Sequence, residues 1–165
     1  MKKIVAGALA LTLAVVMVGC GFQWVVTPEV PLKNFGSMQF KGSTSTFDRV
    51  VKGQKDEDLR REKGQAVHEI VARNLGGFAS SFQGTSGGRA LTLQAELMDC
   101  YAGSGALKFF VGAAANGHID YDVKLYDGSK LVGHFFLRTE VPVTGASFAA
   151  VNASKQMIGI IKQKM

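Results

Sequence analysis

From His118 to Leu125 the chain alternates without a break, and this stretch limits the fold more than any other. Ile119, Tyr121, Val123 and Leu125 point one way, and His118, Asp120, Asp122 and Lys124 the other. A period of two marks a strand with one buried face. A slip of one residue would turn every apolar side chain to water, so the register is strongly specified. Asp127-Gly128 follows, and then a second apolar row of Leu131, Gly133, Phe135 and Leu137. A three-residue loop, Tyr126-Asp127-Gly128, keeps the two rows on one face, with glycine in the left-handed position. It pairs Val123 with Leu131, Tyr121 with Gly133 and Ile119 with Phe135, and the missing side chain at Gly133 leaves room for Tyr121. The other face is expected to be wet. It carries Asp120 opposite His134, with Phe136 and Arg138 beyond.

The remaining elements are arranged around this hairpin. Phe35 to Lys41 reads as a first strand. A helix is expected from about Asp56 to Leu75, because Leu59, Val67, Ile70, Val71 and Leu75 recur at helical spacing. Asp56, Glu57 and Asp58 suit its first turn, and Gly76-Gly77 suits its end. Its His68 reads as a partly buried side chain rather than a ligand. Phe78 to Arg89 reads as a loop. Ala90 to Cys100 alternates again, with Leu91, Leu93, Ala95 and Leu97 against Thr92, Gln94, Glu96 and Met98. A glycine-rich loop, Gly103 to Gly117, leads into the hairpin. A last helix, capped by Thr144 or Ser147, runs to about Lys164 with Phe148, Val151, Ile158, Ile161 and Met165 as its stripe. The order β-α-β-β-β-α predicts an α+β two-layer sandwich. Its antiparallel-rich sheet has about four strands, with two helices on one face and the other face open.

The first twenty residues, MKKIVAGALALTLAVVMVGC, read as a targeting segment. Lys2 and Lys3 precede a short apolar run that is rich in small residues, the layout of a signal peptide. Its end, Met17-Val18-Gly19-Cys20, resembles the lipobox of bacterial lipoproteins. That resemblance implies cleavage after residue 19 and a diacylglyceryl group on the Cys20 thiol. Removal of residues 1–19 leaves 146 of the 165 residues and lowers the formal net charge from +6 to +4. Residues 20–34, with Pro28 and Pro31, then read as the lipidated cysteine and an extended tether. Residues 35–165 form a single α+β domain. With Cys20 acylated, Cys100 is left alone, which excludes an internal disulfide or a two-cysteine metal site. The basic residues are scattered among acids, with no basic stripe interleaved with aromatics, so nucleic acid is not an expected partner.

The glycine-rich loop and the hairpin together, GSGALKFFVGAAANGHIDYDVKLYDG, resemble a family of bacterial lipoproteins known as DUF4410. Gly105, Leu107, Phe110, Gly112, Ala113 and Gly117 look like that family's loop, and Asp127 and Gly128 like its turn. Ala114 to Asn116 depart from its glycine pattern. The resemblance covers about half of the mature chain. It implies an envelope lipoprotein with an α+β domain and no established activity, and Gly21 after the cysteine implies the outer membrane. The start Cys20-Gly21-Phe22 also resembles lipopolysaccharide-assembly lipoproteins that bind an outer-membrane barrel, which is the alternative reading.

Chemistry is sparse. His118, Asp120, Asp122 and His134 share the wet face, an acceptable ligand set for a metal such as zinc. Polar residues on a solvated strand face need no such explanation. A small metal-dependent enzyme is therefore the second alternative, and no catalytic residue, metal or cofactor is expected. The glycine loop lacks the lysine and hydroxyl residue of a phosphate loop. Phe109, Phe110 and Val111 in that loop, with Phe136 on the sheet, are the candidate contacts to an envelope protein partner or the membrane.

Overall fold

The computed structural model describes residues 21–85, 88–101, 117–141 and 145–165. Its strands are β1 (Gly21–Val26), β2 (Ser37–Ser43), β3 (Ala90–Tyr101), β4 (Gly117–Asp127) and β5 (Lys130–Val141). Its helices are α1 (Ser45–Val51), α2 (Glu57–Ser81) and α3 (Ala146–Lys162), with a 3-10 turn at Leu32–Asn34. The class is α+β, as expected. The described residues form a mixed sheet of five strands in the order β1-β5-β4-β3-β2. β1–β5, β5–β4 and β4–β3 are antiparallel, whereas β2 lies parallel to β3. A parallel neighbour needs a long crossover, and α1 and α2 supply it.

Two corrections concern the ends of the expected domain. Gly21–Val26 is not a tether: it is an edge strand, with Gly21 opposite Arg138 and Trp24 opposite Phe135. Trp24 packs its ring 5.0 Å from that of Phe135, so the polar, proline-containing composition of the following loop concealed a strand before it. The sheet therefore gains a strand beyond the expected four. At the C-terminus, α3 buries Ala149, Ala150, Ala153, Met157, Ile160 and Ile161, while Phe148 is exposed. The buried face is set by small residues that let α3 approach α2, where Asn74 Nδ2 donates to Ser154 Oγ at 2.8 Å.

α2 runs through Gly76-Gly77 to Ser81 rather than stopping there. Ala79 and Phe82 are buried in the core beyond the two glycines. Tertiary burial overrides the weak local preference of glycine to end a helix. The buried face of α2 is Gly64, Val67, Val71, Leu75 and Ala79, and Leu59 is left in solvent.

The hairpin keeps the expected face and changes its register. Ile119, Tyr121, Val123 and Leu125 are all buried. Val123 pairs with Phe135, Tyr121 with Leu137 and Leu125 with Gly133, a shift of four residues from the pairing predicted. The turn is the two-residue Gly128-Ser129 between Asp127 and Lys130, followed by a bulge at Leu125/Tyr126. The bulge restores the parity that a two-residue turn would have lost. Gly128 has φ +60°, which glycine takes without strain. Gly133 makes room for Leu125 and Pro28, not for Tyr121. A Cβ there would lie 3.0 Å from Leu125 Cδ1 and 3.2 Å from Pro28 Cγ.

Candidate functional site

The outer face of the sheet, opposite the two long helices, carries the polar residues singled out above. The four do not form one cluster. His134 Nε2 lies 2.6 Å from Asp122 Oδ1, and Lys124 Nζ donates to Asp122 Oδ2 at 2.6 Å. Further along β4, His118 Nε2 lies 3.1 Å from Asp99 Oδ2 and 3.9 Å from Asp120 Oδ2. Asp120 accepts from Arg138 Nε at 2.8 Å. Asp120 sits opposite Arg138 rather than His134, a consequence of the four-residue register shift. Among the described residues no three His, Cys, Asp or Glu side chains are placed to hold a metal ion.

Asp99 belongs to this face and was not anticipated, and Arg60, in the first turn of α2, reaches it at 3.2 Å from the end of the sheet. Strict alternation would point Asp99 inward with Leu97. A bulge between Leu97 and Asp99 reverses the parity, so Asp99 turns outward and Cys100 is buried. The signal was a carboxylate where the pattern demanded an apolar residue. The hydrogen bond from His118, with the Cys100 backbone N–H and the Arg60 guanidinium, holds Asp99 below the usual carboxylate range. Burial pushes the Cys100 thiol up to about 11, so it is a protonated thiol at neutral pH.

The wet face is drier than expected at its centre. The Asp122 side chain is only 8% exposed and that of His134 13%. Phe136 is exposed, with its ring 4.9 Å from that of His134, and it sits beside Asp122 on one strand and Gln23 on the other. Asp122 therefore anchors two cationic or hydrogen-bonding partners in a nearly buried position. Asp122→Asn is expected to cost about 1–3 kcal/mol, the range for removing a charged hydrogen-bond partner from a buried site. Asp120→Asn, whose partner Arg138 is well exposed, should cost no more than about 1 kcal/mol. Chemical denaturation of the two variants checks the ranking.

Beside this centre is a shallow groove of about 250 Å³, lined by Lys41, Ser43, Gln94, Glu96, Asp122 and Lys124. Glu96 is committed to structure. The Thr46 hydroxyl donates to it at 2.6 Å, the Ser45 hydroxyl at 2.8 Å and the Thr46 N–H at 3.1 Å. These donors hold its pKa below the usual value and tie the start of α1 to β3.

On the inner face His68 Nδ1 lies 3.1 Å from Tyr121 Oη, with the two rings nearly parallel. Burial holds the imidazole below the ordinary 6.5. The unfolded chain then binds a proton more readily than the folded one. The neutral histidine is fully tolerated above about pH 6.5, and stability falls as the pH drops from there through the lowered folded value. His68→Gln should flatten this part of the curve. Melting temperatures from pH 7.5 to 5 for both proteins check it.

Cys20, Phe109, Phe110 and Val111 lie outside the described residues. No protein-family model matches the sequence, and no curated protein matches it. Among solved structures, a single-substitution variant of the PelC dodecamer from Paraburkholderia phytofirmans is similar with a TM-score of 0.48 at 10% identity, over 86% of this chain and 96% of that one. A PelC dodecamer from the same organism in another crystal form gives 0.46 at 9% identity, over 82% and 94%.

Proposed function

We propose that the chain is a non-catalytic binding or assembly module of the cell envelope, held at the periplasmic face of the outer membrane by acyl chains on Cys20. The observation that carries this reading is the leader: two lysines, a short apolar run and Gly19-Cys20-Gly21. A single acyl chain binds a membrane only marginally, whereas a diacylated cysteine supplies a stable anchor. Among the described residues no helix is long and apolar enough to cross a membrane. The non-catalytic part is supported by the outer face. Asp122 is taken up by Lys124, Asp120 by Arg138 and Glu96 by hydroxyls, and the buried Cys100 thiol is protonated.

Cys20→Ala is expected to abolish incorporation of a labelled fatty acid and to release the domain from the membrane fraction. Labelling that persists in the variant overturns the anchor. Wild-type protein found only in the inner membrane overturns the outer-membrane assignment, which rests on Gly21. Crosslinking in intact membranes would identify the envelope partner, with Phe136 and the Phe109-Phe110-Val111 segment as the proposed contacts.

A further inference from the structure

We infer that the Gly21 end of the sheet is seated on the lipid surface, with Phe22, Tyr101 and Phe148 among the headgroups. This rests on the proposed acylation of Cys20. Had residues 21–34 been a free tether, 14 extended residues would reach about 45 Å, and any face of the domain could meet the membrane. Instead Gly21 is already fixed in β1 opposite Arg138. Cys20 is one Cα–Cα step away, about 3.8 Å, so acyl chains on Cys20 enter the bilayer beside this end of the sheet.

The strand register defines which residues share that end. Arg138 is opposite Asp120, Asp120 opposite Asp99, and His118 opposite Tyr101. α2 begins there too, since Arg60 reaches Asp99 at 3.2 Å and lies over the Tyr101 ring at 5.9 Å. α3 follows β5 closely, and its Gln156 is level with Thr139, 3.4 Å away. The ten residues before Gln156 span about 15 Å of helix, which carries Phe148 toward the same end. Phe22 is 44% exposed, Tyr101 40%, Leu59 51% and Phe148 53%. Tyr101 suits the headgroup layer, where amphipathic rings concentrate, and Phe22, Phe148 and Leu59 supply apolar surface that an interfacial face buries at the headgroup–acyl boundary.

The opposite end carries Lys130 at the β4–β5 turn, Arg89 beside Asp127, and Lys33 and Lys164, which line one surface groove with Pro28 and Val30, and these cations offer a rival orientation toward anionic lipid. Attraction of this kind fades within a Debye length of about 8–10 Å. From Arg138 to Lys130 the strand covers about 27 Å at 3.4 Å per residue, which a single residue between anchor and sheet cannot bridge. The basic end therefore faces away from the lipid.

The test uses the full-length acylated protein in phosphatidylethanolamine–phosphatidylglycerol vesicles containing brominated lipid. Trp24 is the sole tryptophan, so Trp24→Phe provides the background for single reporters Tyr101→Trp, Phe148→Trp and Val30→Trp. The expected result is at least twofold quenching at 101 and 148 and none at 30, with mass spectrometry confirming the acyl chains in the same samples. Acylated, vesicle-bound protein with Val30→Trp quenched, or with 101 and 148 both unquenched, overturns the orientation and leaves the anchor standing. Cys20 without acyl chains overturns the anchor and the orientation together.

Discussion

Val123→Asp is expected to leave the domain unfolded. Val123 has no exposed surface and lies on the central strand β4, between Ala95 on β3 and Phe135 on β5. A carboxylate there would lie between the apolar Ala95 and Phe135 on the buried face. An unpaired buried charge costs several kcal/mol even after relaxation or protonation. The whole stability of a domain this size is about 5–15 kcal/mol. The variant should lose its cooperative thermal transition and its dispersed amide spectrum. A melting temperature within a few degrees of the wild type would show that this face is not the core. The adjacent Asp122 sharpens the comparison. One residue along the same strand a carboxylate is tolerated in a nearly buried position, because Lys124 and His134 meet it there. The two positions differ in partners more than in exposure.

The faces of the hairpin were legible because an alternating pattern is a local property of the chain. The register was not, because it depends on a bulge at Leu125/Tyr126 that leaves the pattern intact. Both the two-residue turn with a bulge and the three-residue loop place the same side chains inward, so binary patterning cannot choose between them. The outer-face contacts inherited that ambiguity. His118, Asp120, Asp122 and His134 were correctly assigned to one face, yet a four-residue shift gave Asp120 to Arg138 and His134 to Asp122. Asp99 shows the converse, a bulge that did leave a mark in the sequence as a charged residue in an apolar row.

β1 escaped notice for a different reason. Gly21–Val26 is a short edge strand, exposed on several of its residues, and its pairing with β5 joins residues more than a hundred positions apart. Local pattern carries little information about such a pairing. The same pairing removes the expected spacer and fixes one end of the sheet next to Cys20. In α3, amphipathic reasoning favoured the large residues Phe148 and Ile158, whereas the buried face is built from Ala149, Ala150 and Ala153. Small residues bury best where a second helix must come close, and α2 is that neighbour.

Phe47→Ala should be the most damaging truncation outside the sheet, at about 3–5 kcal/mol, and its effect should reverse that of a second change. Phe47 on α1 is fully buried and its ring is seated on Gly64, inside α2. A Cβ on residue 64 would lie 2.1 Å from Phe47 Cε1 and 2.2 Å from Cζ, far inside contact distance. Glycine in a helix interior costs roughly 0.5–1 kcal/mol relative to alanine, and here that cost is offset by the seat it provides for the ring. In the wild-type background Gly64→Ala must displace a ring that has no route to solvent. Overpacking of this kind costs about 1–3 kcal/mol, so the net change should be a loss of stability. With Phe47→Ala already in place the clash is gone. Gly64→Ala should then recover the helix propensity and fill part of the cavity, giving a net gain. Urea denaturation of the four proteins in a double-mutant cycle measures the coupling, which should be about 2 kcal/mol. Equal destabilisation by Gly64→Ala in both backgrounds would show that the glycine serves something other than Phe47.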